Sequence, residues 1–170
     1  MKPIILIGMM GSGKTTIGHL LAHESHMTYL DTDECVEQIS QQQISTLFKI
    51  KGEPYFRQLE HDALLFAKRH AQIISTGGGI LTNSDNYPLL LDAHVFYLQA
   101  SLETLLTRIT TDNRPLLQQD VAKTLATLLH NRHAIYEQFA THIIQTDSLT
   151  PEEVTHQIWH VVHAHNNVLI

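Results

Sequence analysis

The residues best equipped for chemistry stand near the start of the chain. Gly8-Met9-Met10-Gly11-Ser12-Gly13-Lys14-Thr15 fits the pattern G-x-x-x-x-G-K-[ST], directly after an apolar run and directly before an amphipathic one. A glycine-rich loop in that position can turn its backbone N–H groups inward around a phosphate, and the helix that follows adds the partial positive charge of its N-terminus. Lys14 is then placed to reach the β- and γ-phosphate oxygens, and the Thr15 hydroxyl to ligate Mg²⁺. A nucleoside triphosphate follows from this spacing. The lack of an Asn-Lys-x-Asp guanine-reading sequence favours ATP over GTP.

The cradle leaves the phosphoryl acceptor open, and the remaining candidates are spread along the chain. In Leu30-Asp31-Thr32-Asp33 the carboxylates are two apart, so they project to one side if the chain there is extended. One could order a magnesium shell while the other accepts a hydrogen bond from an attacking hydroxyl; the competing reading is Asp33 as a helix cap and Asp31 as a solvated strand end. Arg57 and Glu60, three apart, share a helix face, where a plain surface ion pair is the alternative to a site. Arg132 and Tyr136 stand four apart, with a solvated arginine as the alternative. Thr76-Gly77-Gly78-Gly79 is either a loose turn or a place where a ligand meets main chain. Arg114-Pro115-Leu116-Leu117 falls in a polar stretch without periodicity, which reads as a mobile loop whose arginine closes over a triphosphate or simply lies exposed.

The elements that must position these groups alternate. Short β-branched runs at 3–7, 28–30, 72–75, 94–98 and 142–145 are separated by helix-period stretches at 14–24, 53–70, 101–109, 121–140 and 151–164. That pattern predicts one doubly wound α/β domain over 1–170, a length that can bury a core of its own. A net charge of -6 with 11 Lys plus Arg argues against nucleic acid as a partner, since phosphate-backbone binding needs a concentrated cationic face. The lone Cys35 excludes an internal disulfide framework and suits a reducing compartment; it reads as structural. The apolar run before Gly8 is far shorter than a spanning helix, so no membrane anchor is expected and the cytoplasm is the expected location.

Taken together and in order, these motifs resemble the shikimate kinase family, from Ile4 to about Val154. The likeness rests on GMMGSGKT, the Leu-Asp-Thr-Asp at 30–33, Gly52-Glu53-x-x-Phe56-Arg57-x-x-Glu60, Ser-Thr-Gly-Gly-Gly at 75–79, Arg114-Pro115-Leu116-Leu117, Arg132-x-x-x-Tyr136, and Thr146-Asp147 with Thr150-Pro151-Glu152-Glu153-Val154. The resemblance implies a nucleoside-monophosphate-kinase-like three-layer sandwich, its five parallel strands in the order 2-3-1-4-5. It further implies transfer of the γ-phosphoryl group of ATP to the 3-hydroxyl of shikimate, a step of aromatic amino acid biosynthesis, by a monomer. By position, Gly11, Ser12, Gly13, Lys14, Thr15 and Thr16 would hold the nucleotide phosphates and Arg108 would approach its base. Thr15 would set Mg²⁺ with Asp31 acting through water. Lys14, Asp33 and Arg114 would be catalytic, Asp33 as candidate base and Arg114 as lid arginine in a loop at about 110–122. Shikimate would bind in a region at about 31–62 and beyond it, to Asp33, Arg57, Glu60, Gly77, Gly78, Gly79 and Arg132.

That assignment suits the acceptor's chemistry, because a carboxylated polyol needs a cationic clamp at one end and a hydrogen-bond acceptor or base at the other. The rival readings are a gluconate or nucleoside monophosphate kinase on the same fold, and a nucleotide-binding relative without catalysis. The pairs His19/His23 and His156/His160 have the spacing of helical metal ligands but lack a third ligand nearby, so they read as solvated helix faces. Trp159, in an apolar-periodic stretch, is expected to anchor the core.

Overall fold

Every side chain of β1 (Ile4–Ile7) is buried, as a parallel strand covered by helices on both faces requires. The computed structural model describes residues 2–110 and 118–166, so Arg114 and the middle of the loop expected at 110–122 lie outside the described residues. With β2 (Tyr29–Asp31), β3 (Ile73–Ser75), β4 (His94–Gln99) and β5 (His142–Gln145), β1 forms one parallel sheet in the order β2-β3-β1-β4-β5, as the resemblance implied. Register is fixed at the centre, where Ile4 pairs with Ile73 on one side and His94 on the other.

Alternate residues of the central strand serve two cores. Ile4 and Leu6 pack with Ile17 and Leu21 of α1 (Lys14–Ser25) and with Val154 and Ile158 of α7 (Pro151–Asn166). Ile5 and Ile7 pack on the opposite face with Leu64 of α3 (Ile44–His70), Leu105 of α5 (Leu102–Thr110) and Leu125 of α6 (Gln118–Phe139). Each such fully buried aliphatic side chain contributes about 1.5–3 kcal/mol. A third cluster, Cys35, Val36, Leu47 and Phe56, joins α2 (Thr32–Ser40) to α3, which makes the buried Cys35 a packing residue. The connection after β1 runs past β3 to β2, whereas the connection after β3 runs the other way, past β1 to β4, so a crevice opens at the carboxyl ends of these two strands.

Some local readings need correction. The helix expected from residue 53 runs from Ile44 to His70 and is broken at Gly52, whose φ of 79 and ψ of 172 only glycine adopts easily. Residue 53 therefore marks the restart of the helix, with Pro54 in a first turn that does not need its N–H. The 3₁₀ turns Ile80–Thr82 and Ser84–Asn86 and α4 (Tyr87–Leu90) are too brief to show a period in sequence, and α2 is a helix that the sequence reading did not include. Trp159 is partly buried at the margin of its core, edge-on to His163 at 4.3 Å, rather than its anchor. His19, His23, His156 and His160 are exposed. Among the described residues no helix is long and apolar enough to cross a membrane.

Candidate active site

The loop from Gly8 to Lys14 crosses the carboxyl end of β1. Gly8, Gly11 and Gly13 take φ values of 144, 77 and 94, and Gly13 delivers the chain into α1 with Lys14 as its first residue. The Lys14 Nζ donates to the carbonyls of Gly8 at 2.9 Å and Met9 at 2.8 Å, so the ammonium spans the loop it serves. Burial lowers the Lys14 pKa to about 8, opposed by the charges of Asp33 and Asp31. The Thr15 hydroxyl donates to Asp31 Oδ2 at 3.0 Å.

Asp31 ends β2, and Thr32 already begins α2. The two carboxylates therefore do not project from one extended strand. Asp31 is itself the cap of α2, its Oδ1 accepting from the Asp33 N–H at 2.9 Å, and Asp33 rides in the first helical turn. Both still line one cleft of about 570 Å³ with Gly11, Ser12, Lys14, Thr15, Thr16 and Gly78. Burial first, then the charges of Asp31 and Glu60, pushes the Asp33 carboxyl up to about 6 against the pull of Lys14.

Beyond Asp33 the cleft is closed by charge. Arg57 donates through Nε and Nη2 to Glu53 Oε1, at 3.1 and 2.9 Å, and through Nη1 to Glu60 Oε2 at 2.6 Å. Its guanidinium lies so close to Gly79 that a Cβ there would overlap it. Glu60 is 1% exposed, its Oε1 has no hydrogen-bond partner among the described residues, and burial raises its pKa against the opposing charges of Arg57 and Arg132. A Cβ on Gly77 would stand 2.5 Å from both Asp33 Oδ1 and Glu60 Oε1, so the two carboxylates converge over that glycine. From α6, Arg132 Nη1 donates to the Gly78 carbonyl at 3.0 Å, and the Tyr136 hydroxyl donates to the same oxygen. The i,i+4 pair is thus aimed at the glycine turn, and the arginines of α3 and α6 reach its adjacent residues.

At the other end, Arg108 of α5 donates through Nη2 to the Thr146 carbonyl at 2.8 Å and through Nη1 to Thr146 Oγ1 at 3.1 Å and Ser12 O at 3.5 Å. It ties the phosphate loop to the segment after β5, where Leu149, Pro151 and Val154 give the cleft an apolar wall. Asp147 accepts from Thr104 Oγ1 at 2.6 Å and the Ser101 N–H at 2.8 Å, and hydrogen bonds from Ser101 and Thr104 hold its carboxyl down at about 2.

The residues singled out in sequence thus converge, apart from Arg114, which lies outside the described residues. Sequence reasoning passed over Thr32 and Glu53. The Thr32 hydroxyl, fully buried, accepts from the Gly77 N–H at 3.0 Å and fixes the glycine turn to α2. Its signal was its place between the two aspartates. Glu53 stood in the motif around Arg57 without a role; its signal was its place four residues before Arg57, a spacing that pairs opposite charges on a helix.

A family model described as shikimate kinase matches residues 10–163. The chain is 38% identical over 162 residues to the shikimate kinase of Trichormus variabilis, covering 94% of this chain and 90% of that one. It is 39% identical over 162 residues to that of Thermodesulfovibrio yellowstonii, covering 93% of each. A solved structure of shikimate kinase from Acinetobacter baumannii in complex with shikimate matches with a TM-score of 0.88 at 32% identity, over 97% of this chain and 94% of that one.

Proposed function

The chain belongs to the shikimate kinase family, and from the geometry of its cleft we propose which residues carry the reaction. It is an enzyme, a shikimate kinase: ATP gives its γ-phosphoryl group to the 3-hydroxyl of shikimate, leaving ADP and shikimate 3-phosphate. The single observation behind the assignment of roles is that Asp33 shares a cleft with Lys14 and Thr15 while two guanidiniums reach Gly78 and Gly79 beside it.

In this reading Gly11, Ser12, Gly13, Lys14, Thr15 and Thr16 hold the triphosphate, and Lys14 exchanges its carbonyl partners for phosphate oxygens. The base rests on the apolar wall near Leu149 and Pro151, with Arg108 bracing the loop on which that wall stands. Thr15 Oγ1 and Asp31 Oδ2, hard oxygens 3.0 Å apart beside the phosphate loop, fit a Mg²⁺ ion that Thr15 would ligate directly and Asp31 would hold through a bound water. Bound there, Mg²⁺ would neutralise charge on the transferring group. Shikimate offers its carboxylate to Arg57 and Arg132. Arg57 spends Nε and one N–H each of Nη1 and Nη2 on Glu53 and Glu60, which leaves the outer N–H groups of its fork for a carboxylate. Gly77, Gly78 and Gly79 give the ring room against main chain, and Glu60 braces Arg57. The 3-hydroxyl oxygen bonds to the γ-phosphorus as the bond from that phosphorus to the β,γ-bridging oxygen breaks, and the hydroxyl proton passes to Asp33. Such a transfer asks mainly for positioning and charge neutralisation, to which Arg114 would add from the lid. The same reading takes 1–170 as one domain, acting as a monomer in the cytoplasm.

A coupled ADP-release assay over shikimate, quinate, gluconate and nucleoside monophosphates tests it. Turnover is expected with shikimate alone and is abolished or nearly so by Asp33→Asn. Equal rates on gluconate would overturn the acceptor assignment.

A further inference from the structure

Tyr29 takes no part in the scheme above, yet its hydroxyl ends beside Asp31. It lies in β2 two residues before that aspartate, so the two side chains leave the strand on the same face. The phenol oxygen donates to Asp31 Oδ2 at 3.3 Å, the oxygen that also accepts from Thr15 at 3.0 Å. The ring can come this close because α1 carries Gly18 one turn after Lys14. A Cβ at that position would run into the Tyr29 ring and stand 2.9 Å from Ser75 Oγ. Ser75 in turn donates to the Lys14 carbonyl at 2.9 Å. His19 packs tilted against the phenol ring, with centroids 4.4 Å apart.

Asp31 therefore holds three donors: the Asp33 N–H on Oδ1, and the hydroxyls of Thr15 and Tyr29 on Oδ2. The Thr15 hydroxyl can offer a lone pair to a cation while its proton stays on Oδ2, so ion binding engages it in two directions at once. The phenol is protonated at neutral pH and has no such second task, which makes it the side-chain donor on Oδ2 whose work is to hold that oxygen in place. We propose that Tyr29 is a positioning residue for nucleotide-bound Mg²⁺, its hydroxyl keeping the Asp31 carboxylate turned toward Thr15 from the gap that Gly18 leaves in α1. This rests on the reading that Thr15 and Asp31 hold the ion.

The test is calorimetric titration with ADP, with and without Mg²⁺, of the wild type and Tyr29→Phe, which keeps the ring and removes only the oxygen. The quantity read is the factor by which Mg²⁺ tightens ADP. Tyr29→Phe should reduce that factor by about 3–10-fold, the size of one net hydrogen bond, and leave the metal-free Kd within about two-fold. Gly18→Ala, which displaces the ring, should reduce it in the wild-type background and change it little in Tyr29→Phe. A Phe variant with the wild-type factor, or with both affinities falling equally, would overturn the inference alone. A wild type indifferent to Mg²⁺ would overturn the ion-holding reading and this inference with it.

Discussion

The phosphate cradle of the cleft is made of one continuous stretch, Gly8 to Thr16, whereas the acceptor end draws Asp33 from α2, Arg57 and Glu60 from α3, three glycines from the end of β3 and Arg132 from α6. The first end satisfies itself: Lys14 is bonded to the Gly8 and Met9 carbonyls, and Thr15 to Asp31. The second does not, for Glu60 Oε1 is buried without a partner among the described residues and the Asp33 carboxyl is pushed up to about 6. A cradle built from main chain can be complete before its ligand arrives. A pocket built from convergent carboxylates and guanidiniums carries a polar cost that a hydroxylated, anionic substrate relieves.

The strongest way to break this contrast is to remove one group from each end. Lys14→Ala and Asp33→Asn should each lower kcat/KM by about 10³-fold or more in a coupled assay. Only Lys14→Ala should also weaken ADP in a calorimetric titration, and equal loss of ADP binding in both would erase the distinction. Next in size, Arg57→Ala and Arg132→Ala should raise the KM for shikimate by about 10–100-fold, with ADP affinity within about two-fold of wild type.

The unrelieved charge at the acceptor end predicts a smaller effect on stability. Because the Asp33 carboxyl is raised from 3.8 to about 6 in the folded protein, the native state binds the proton more tightly than the unfolded chain. Its stabilising contribution is therefore whole below about pH 4 and is lost as pH rises through about 6. Asp33→Asn should accordingly melt about 2–5 °C above wild type at pH 7.5, the gap closing toward pH 5, in thermal scans without ligand. The activity of the wild type should fall on the acid side near the same pH. Smallest of all, the lowered Lys14 pKa of about 8 must rise against a polyphosphate. Binding of ADP should take up roughly half a proton or more at pH 8.5 and roughly a tenth at pH 7, read from the buffer dependence of the binding enthalpy.

The phosphate loop, the strand before it and the helix after it were legible in the chain itself, because their geometry is set by neighbouring residues: glycines that admit positive φ and a lysine at the head of a helix. The alternation of strands and helices gave the fold class for the same reason, since each period is local. The resemblance supplied the strand order and the list of acceptor residues. Packing decided the rest. That Asp31 caps α2 rather than standing beside Asp33 on a strand, that Arg57 lies over Gly79 and Arg132 and Tyr136 meet on the Gly78 carbonyl, and that Tyr29 reaches Asp31 through the space left by Gly18 all depend on how elements cross. No local spacing encodes such a crossing, because it is fixed by the burial of Ile4, Ile5, Leu64, Leu125 and their neighbours in cores that join residues far apart in the chain.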